Sequence, residues 1–159
     1  MATSGNKNLT KGIPTIKDAF IVIVKTEWNS DIVNLLSKGC KKVFKENNIS
    51  FKEVTVPGAF EISFAIKQLA QKYKTADAFI ALGTVIRGNT PHFDFVCKAV
   101  TDGILSLNLI LDVPTIFGIL TLENHQQALD RVGGKDGHKG EEAAITAIKM
   151  IALNRSLKK

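Results

Sequence analysis

Two short stretches constrain the fold more than any other feature: residues 19–24 (Ala-Phe-Ile-Val-Ile-Val) and 78–82 (Ala-Phe-Ile-Ala-Leu) are apolar at every position. A strand turns successive side chains to opposite faces, so a run without polar positions needs cover on both sides. A parallel sheet between two layers of helices supplies it. Each run is far shorter than the roughly 18 apolar residues of a membrane span, which leaves the buried strand as the reading.

The intervening segments carry the helices. Ile32, Leu36, Cys40 and Val43 recur at intervals of three and four. They predict a helix from Ser30 or Asp31, either of which can cap it, to about Asn47, with lysines on the other face. Residues 51–56 are half polar, with Lys52 and Glu53, and predict a strand nearer the sheet edge, stopped by Pro57-Gly58. Ile62, Ala65, Ile66, Leu69, Ala70 and Tyr73 predict a helix over 61–73. A third strand at 78–84 feeds a loop at 85–92. Val96, Val100, Ile104, Leu107 and Leu111 then predict a helix despite Gly103. Pro114 separates that helix from a fourth strand at 115–122. A short helix over about 124–132, a glycine-rich loop and a last helix from 141 to about 157 complete the chain.

Four strands alternating with helices of crossover length imply an α/β fold, a three-layer sandwich around a four-stranded parallel sheet with right-handed connections. The 159 residues, 45% of them hydrophobic, fit a single domain with a flexible polar arm at about 1–12. Such a chain can bury a core without disulfide or metal. Cys40 and Cys97 lie at apolar helical positions and read as reduced, buried small hydrophobes.

Charge distribution narrows the function. The balance is +6, yet no basic run exceeds the doublets Lys41-Lys42 and Lys158-Lys159, and one Trp and one Tyr make no row of stacking platforms. A nucleic-acid groove is therefore unsupported, and an anionic small-molecule ligand fits better. The polar N-terminus lacks the apolar segment of a secretory signal, so the expected location is cytoplasmic, away from membranes.

In a sheet of this kind ligands bind beyond the carboxyl ends of the strands, which selects the loops at 25–30, 57–60 and 85–92. The third reads Gly83-Thr84-Val85-Ile86-Arg87-Gly88-Asn89-Thr90-Pro91-His92. Its glycines admit a ligand to the backbone near a helix N-terminus, although it lacks the lysine-serine or lysine-threonine ending of a Walker loop. His92 offers an imidazole that can accept and return a proton; a surface or capping role is the plain alternative. His125 and His138 have weaker claims. Val56-Pro57-Gly58-Ala59-Phe60-Glu61 brings free N–H groups, an aromatic wall and a carboxylate to the same sheet edge, unless Glu61 only complements a helix dipole. Trp28 can stack on a ring ligand or cap the core. Arg131 and the lysines of Gly133-Gly134-Lys135-Asp136-Gly137-His138-Lys139-Gly140 suit phosphate recognition or a solvated surface. Phe117, within the fourth strand, reads as core.

Taken together, the 56–61 motif, Gly83 to Gly88 with His92, and Phe117-Gly118-Ile119-Leu120-Thr121 with Glu123-Asn124 resemble the 6,7-dimethyl-8-ribityllumazine synthase family. The resemblance runs from about Phe20 to Ser156 and takes in Arg131, Lys135, Gly137, Lys139-Gly140 and Asn154-Arg155-Ser156. It implies a flavodoxin-like topology. It also implies condensation of 5-amino-6-(D-ribitylamino)uracil with 3,4-dihydroxy-2-butanone 4-phosphate in the penultimate step of riboflavin biosynthesis, with neither cofactor nor metal. By motif, Trp28 replaces an aromatic, often phenylalanine, that stacks on the pyrimidine. Ala59, Phe60 and Glu61 would meet the pyrimidine and ribityl chain, and Thr84, Val85 and Ile86 would hold the ring. Asn89 and Thr90 would present backbone groups to the butanone phosphate, Arg131 would bind that phosphate, Lys139 would reach the ring and His92 would transfer protons.

The resemblance further implies a homo-oligomer, a pentamer or a 60-subunit shell, with Phe117 and Arg131 supplied by the neighbouring subunit and riboflavin synthase as a potential partner. The N-terminal arm would add a strand to the neighbour's sheet, short or at an edge because Pro14 removes a ladder donor. A phosphoacceptor receiver domain fails for want of acids at the strand ends, where Lys25, Thr26 and Thr84 stand. A flavodoxin-like electron carrier fails because Thr26-Glu27-Trp28-Asn29-Ser30 makes a poor phosphate loop. A non-catalytic flavin- or lumazine-binding, or shell-forming, homologue remains as the alternative.

Overall fold

A computed structural model describes residues 9–158. The chain runs through β1 (Phe20–Thr26), α1 (Ser30–Glu46), β2 (Ser50–Val56), a 3₁₀ turn (Ala59–Glu61) and α2 (Ile62–Lys72). It continues through β3 (Ala78–Ile86), α3 (His92–Ile110), β4 (Thr115–Leu122), α4 (His125–Leu129), β5 (Val132–Gly134), β6 (Gly137–His138) and α5 (Lys139–Leu157). The four long strands pair in parallel in the order β2-β1-β3-β4, the flavodoxin-like topology that the family resemblance implies.

The all-apolar runs are explained by what covers them. Ile21 and Ile23 of β1 pack with Val33, Leu36 and Ile148 of α1 and α5 on one face, whereas Val22 and Val24 pack with Ile62, Ile66 and Ile104 of α2 and α3 on the other. All four β1 side chains are completely buried, so neither face tolerates a polar residue. The α1–α5 layer is tight: a Cβ on Gly140 would lie 2.0 Å from the Leu36 carbonyl oxygen. Cys40 Sγ donates to the Gly140 carbonyl at 3.0 Å, and burial pushes its thiol up to about 12, as suits an unreactive core residue. Cys97 is only partly covered.

Several boundaries differ from expectation for local reasons. The N-cap of α1 is Asn29, not Ser30 or Asp31. It adopts left-handed backbone (φ 56°, ψ 41°), which asparagine tolerates, and its carbonyl accepts from Ile32 and Val33. β3 continues two residues beyond 84 because Val85 and Ile86 find partners in Thr121 and Leu122. The expected glycine-rich loop contains an antiparallel hairpin, β5–β6, with Gly133 (φ 117°) and Gly137 (φ 82°) in conformations that L side chains rarely adopt. Phe117 is 42% exposed rather than core, since β4 forms the outer edge of the sheet. On α3 the expected stripe of Val100, Ile104 and Leu107 is buried, but Phe95, Leu105, Leu109 and Ile110 make a second apolar face that this chain leaves open.

Residues 1–8 of the N-terminal arm lie outside the described residues. Leu9, Ile13 and Ile16 pack against the α1–α5 side of the core, Lys149 Nζ donates to the Lys11 carbonyl at 3.1 Å, and no strand forms around Pro14. Arg155 holds the exit of this segment, donating to the Lys17 carbonyl at 2.7 Å and to Asp77 Oδ1 at 2.8 Å. Among the described residues no helix is long and apolar enough to cross a membrane.

Candidate functional site

The carboxyl ends of β1, β2 and β3 part because β1 hands over to α1 on one face of the sheet, whereas β2 and β3 hand over to α2 and α3 on the other. β1 ends with the Glu27 and Trp28 N–H groups bonded to the Val56 and Pro57 carbonyls, at 2.9 and 3.2 Å, which sets the indole beside the end of β2. Trp28 is 73% exposed, so it does not cap the core. Asn29 then reaches across the gap, its Nδ2 donating to the Thr84 carbonyl at 2.7 Å, and ties this loop to β3. After β2, the 3₁₀ turn presents Ala59, Phe60 and Glu61, with Phe60 exposed.

The result is a cavity of about 510 Å³, within the range of small-molecule sites. Trp28, Ala59, Phe60, Glu61, Thr84, Val85, Ile86, Thr90 and His92 all line it. Asn89 does not; the loop turns it outward, where it is exposed. Asn29, Phe93 and Val96, which sequence reasoning did not single out, complete the wall. Phe93 and Val96 follow from His92 being the first residue of α3, since the next turn then faces the same opening. The signal for Asn29 is its type: a left-handed position favours asparagine. His92 has no hydrogen-bond partner among the described residues and is exposed, so the imidazole is free to meet a ligand.

Phe117, Arg131 and Lys139 belong to a different place. They line a trough of about 760 Å³ along β4 and α5, together with Gln127, Glu142 and Leu9. The charges there are already engaged. Arg131 Nη1 donates to the Gln127 carbonyl at 3.0 Å and lies 3.2 Å from Asp136 Oδ2, and Lys139 Nζ bonds both oxygens of Glu142 at 2.8 and 3.0 Å. Lys135, mostly exposed, pairs with Asp130 at 3.1 Å, and hydrogen bonds from Lys135 and Gln126 hold the Asp130 carboxyl below its usual range.

The other histidines are spent structurally. His125 Nε2 lies 2.6 Å from Asp31 Oδ2, an interaction that lowers the Asp31 carboxyl. The His138 ring packs where any Cβ on Gly39 would collide with it at 2.2 Å, and burial lowers its imidazole below the ordinary range. Neither borders the cavity.

Residues 18–155, most of the chain, match the model of a protein family described as 6,7-dimethyl-8-ribityllumazine synthase. The chain belongs to that family. A 6,7-dimethyl-8-ribityllumazine synthase of Parabacteroides distasonis is 46% identical over 142 residues, covering 87% of this chain and 88% of that protein. The Cytophaga hutchinsonii protein of the same description is 46% identical, covering 94% and 98%, and that of Bacteroides fragilis is 48% identical, covering 86% and 97%. Membership of the lumazine synthase family makes the chain a transferase of riboflavin biosynthesis.

Proposed function

We propose that the cavity condenses 5-amino-6-(D-ribitylamino)uracil with 3,4-dihydroxy-2-butanone 4-phosphate to give 6,7-dimethyl-8-ribityllumazine, phosphate and water. One observation carries this reading. The ring-holding residues and His92 line one cavity, while the phosphate-binding candidate Arg131 lines another surface with Phe117 and Lys139, so a complete site takes two copies of the chain. The exposed apolar face of α3 and the exposed Phe60 and Phe64 support association of copies, in a pentamer or a larger shell.

In the cavity Trp28 and Phe60 hold the flat uracil between aromatic and apolar walls, and Glu61 accepts from ribityl hydroxyls. The uracil amine attacks the butanone carbonyl to form an imine with loss of water. Proton loss and phosphate elimination then leave a second carbonyl, and attack on it by the ribityl-bearing nitrogen closes the ring with loss of a second water. His92 takes and returns the protons of these steps. General acid–base help of this kind contributes about 10²- to 10⁴-fold, and alignment of two substrates supplies much of the rest. Arg131 of the neighbouring copy meets a dianion that is also the leaving group, so its charge-assisted bonds serve both binding and elimination. Thr90, which lines the cavity, offers its loop N–H to the same phosphate.

Mixing the two substrates with the protein and following the absorbance of the lumazine is the direct test. Product formed at an enzymatic rate supports the synthase. Lumazine binding without product would instead mark the non-catalytic homologue.

A further inference from the structure

His92 is placed by its backbone alone, because its ring has no hydrogen-bond partner among the described residues. The turn that carries it is poorly secured by ordinary means. The N-cap of α3 is Pro91, which has no side chain able to cap and no N–H, and the four residues before His92 are all exposed. Something else must hold the first turn of α3 against the sheet.

Arg87 makes that connection. Its backbone N–H donates to the Leu122 carbonyl at 2.9 Å, extending the β3–β4 ladder by one residue and pinning its Cα to the sheet. From there Nη1 and Nη2 reach the two oxygens of Asp94 at 3.2 and 3.0 Å, and the guanidinium lies 4.1 Å from the centre of the Phe93 ring. Phe93 and Asp94 are the two residues that follow His92. The remaining donor, Nε, bonds Glu123 Oε2 at 2.8 Å, and Glu123 is itself secured through its N–H to Gln127 Oε1 at 3.0 Å. Arg87 does not line the cavity, although Ile86 and Gly88 on either side of it do. Two carboxylates offset its charge, which makes it a poor receptor for a substrate anion.

We infer that Arg87 is a positioning residue for His92: its guanidinium fixes the first turn of α3 to the ends of β3 and β4, and so aims the imidazole. The inference rests on His92 being the proton-transfer residue proposed above. A single exposed ion pair orients little. A planar fork that bridges two acids while lying over a ring is held at three points, and an ammonium cannot reproduce that arrangement.

The test compares Arg87→Met, Arg87→Lys and Asp94→Asn, each alone and combined with His92→Ala. Arg87→Met should lower kcat about 10- to 100-fold, the effect of moving a reacting group by roughly 1 Å, with KM for both substrates changed less than about threefold. Arg87→Lys should recover only part of the loss. In the His92→Ala background neither Arg87 replacement should lower kcat further. A KM for the phosphate substrate that rises while kcat holds would make Arg87 a ligand instead, and an undiminished loss in the His92→Ala background would make its role merely structural; either result overturns the inference. Crystals of Arg87→Met supply a readout that needs no turnover: the His92 ring should be displaced or spread over more than one rotamer. An unmoved single rotamer overturns the inference whatever the kinetics, whereas a displaced ring in a protein that makes no lumazine rejects the proposed reaction and keeps the positioning.

Discussion

Over the ends of β1, β2 and β3 the protein offers a hollow with exposed aromatics and an imidazole that has no hydrogen-bond partner among the described residues, whereas along β4 and α5 each cation of the trough already faces an acid. The second region is a charged surface kept in register by its own carboxylates, Asp136 for Arg131 and Glu142 for Lys139. The contrast teaches that the chain is built in halves. On the proposed reading the hollow receives the planar ring, and among the described residues no lysine or arginine lines it, whereas the trough carries Arg131 and Lys139 but no histidine.

The sharpest way to break this comparison is to keep the halves apart. An isolated monomer should be inactive, and neither His92→Ala nor Arg131→Ala protein should approach wild-type turnover alone. After subunit exchange the mixture should recover activity, read as lumazine absorbance, because some contacts then join two intact halves. Exchange proven by mass spectrometry without recovery would show that both residues serve the same chain. Next in size, His92→Ala should lower kcat by about 10²- to 10⁴-fold without abolishing it, since alignment of substrates survives. Arg131→Ala should act on the other half, raising KM for the phosphate substrate about 10- to 100-fold, the worth of charge-assisted hydrogen bonds, and leaving that for the uracil nearly unchanged. Trp28→Ala should do the reverse and raise KM for the uracil about 2- to 10-fold, with Trp28→Phe restoring most of the loss.

A smaller effect separates both halves from the scaffold. Partial burial would raise the Glu53 carboxyl, but hydrogen bonds from Ser37, Lys41 and Lys25 outweigh it and hold it down at about 2. A carboxyl depressed in the folded chain stabilises it fully above the ordinary value of 4.5. That contribution is lost as pH falls from there toward about 2. Glu53→Gln should therefore lower stability by about 1 kcal/mol at pH 7 and by progressively less below pH 4.5, as measured by urea midpoints, with both KM values unchanged.

The two halves were unequally legible in the sequence. The hollow is contiguous with strand ends, and strand ends can be read from pattern and punctuation: Ala59, Phe60 and Glu61 follow the Pro57-Gly58 that stops β2, and His92 closes the loop after β3. Arg131 and Lys139 are separated by the hairpin of β5 and β6, two and three residue pieces too short to leave a periodic signal. Phe117 read as core because an apolar residue inside a strand usually is; nothing local says that β4 is the last strand of the sheet. Asn29 was missed as a member of the wall because its contribution, a bond to the Thr84 carbonyl, spans 55 positions.

By itself the sequence determined the layers, since residues apolar on both faces of β1 and β3 admit only a covered parallel sheet. It also determined, through its motifs, the family and most of the hollow. What only the tertiary structure decided is the division of labour: which strand stands at the edge, that Arg87 spans two carboxylates beside His92, and that Arg131 and His92 of one chain face different openings. Periodicity encodes what a residue is buried against, layer by layer, because burial repeats along an element. Juxtaposition across elements depends on strand order and loop path, which long-range contacts choose.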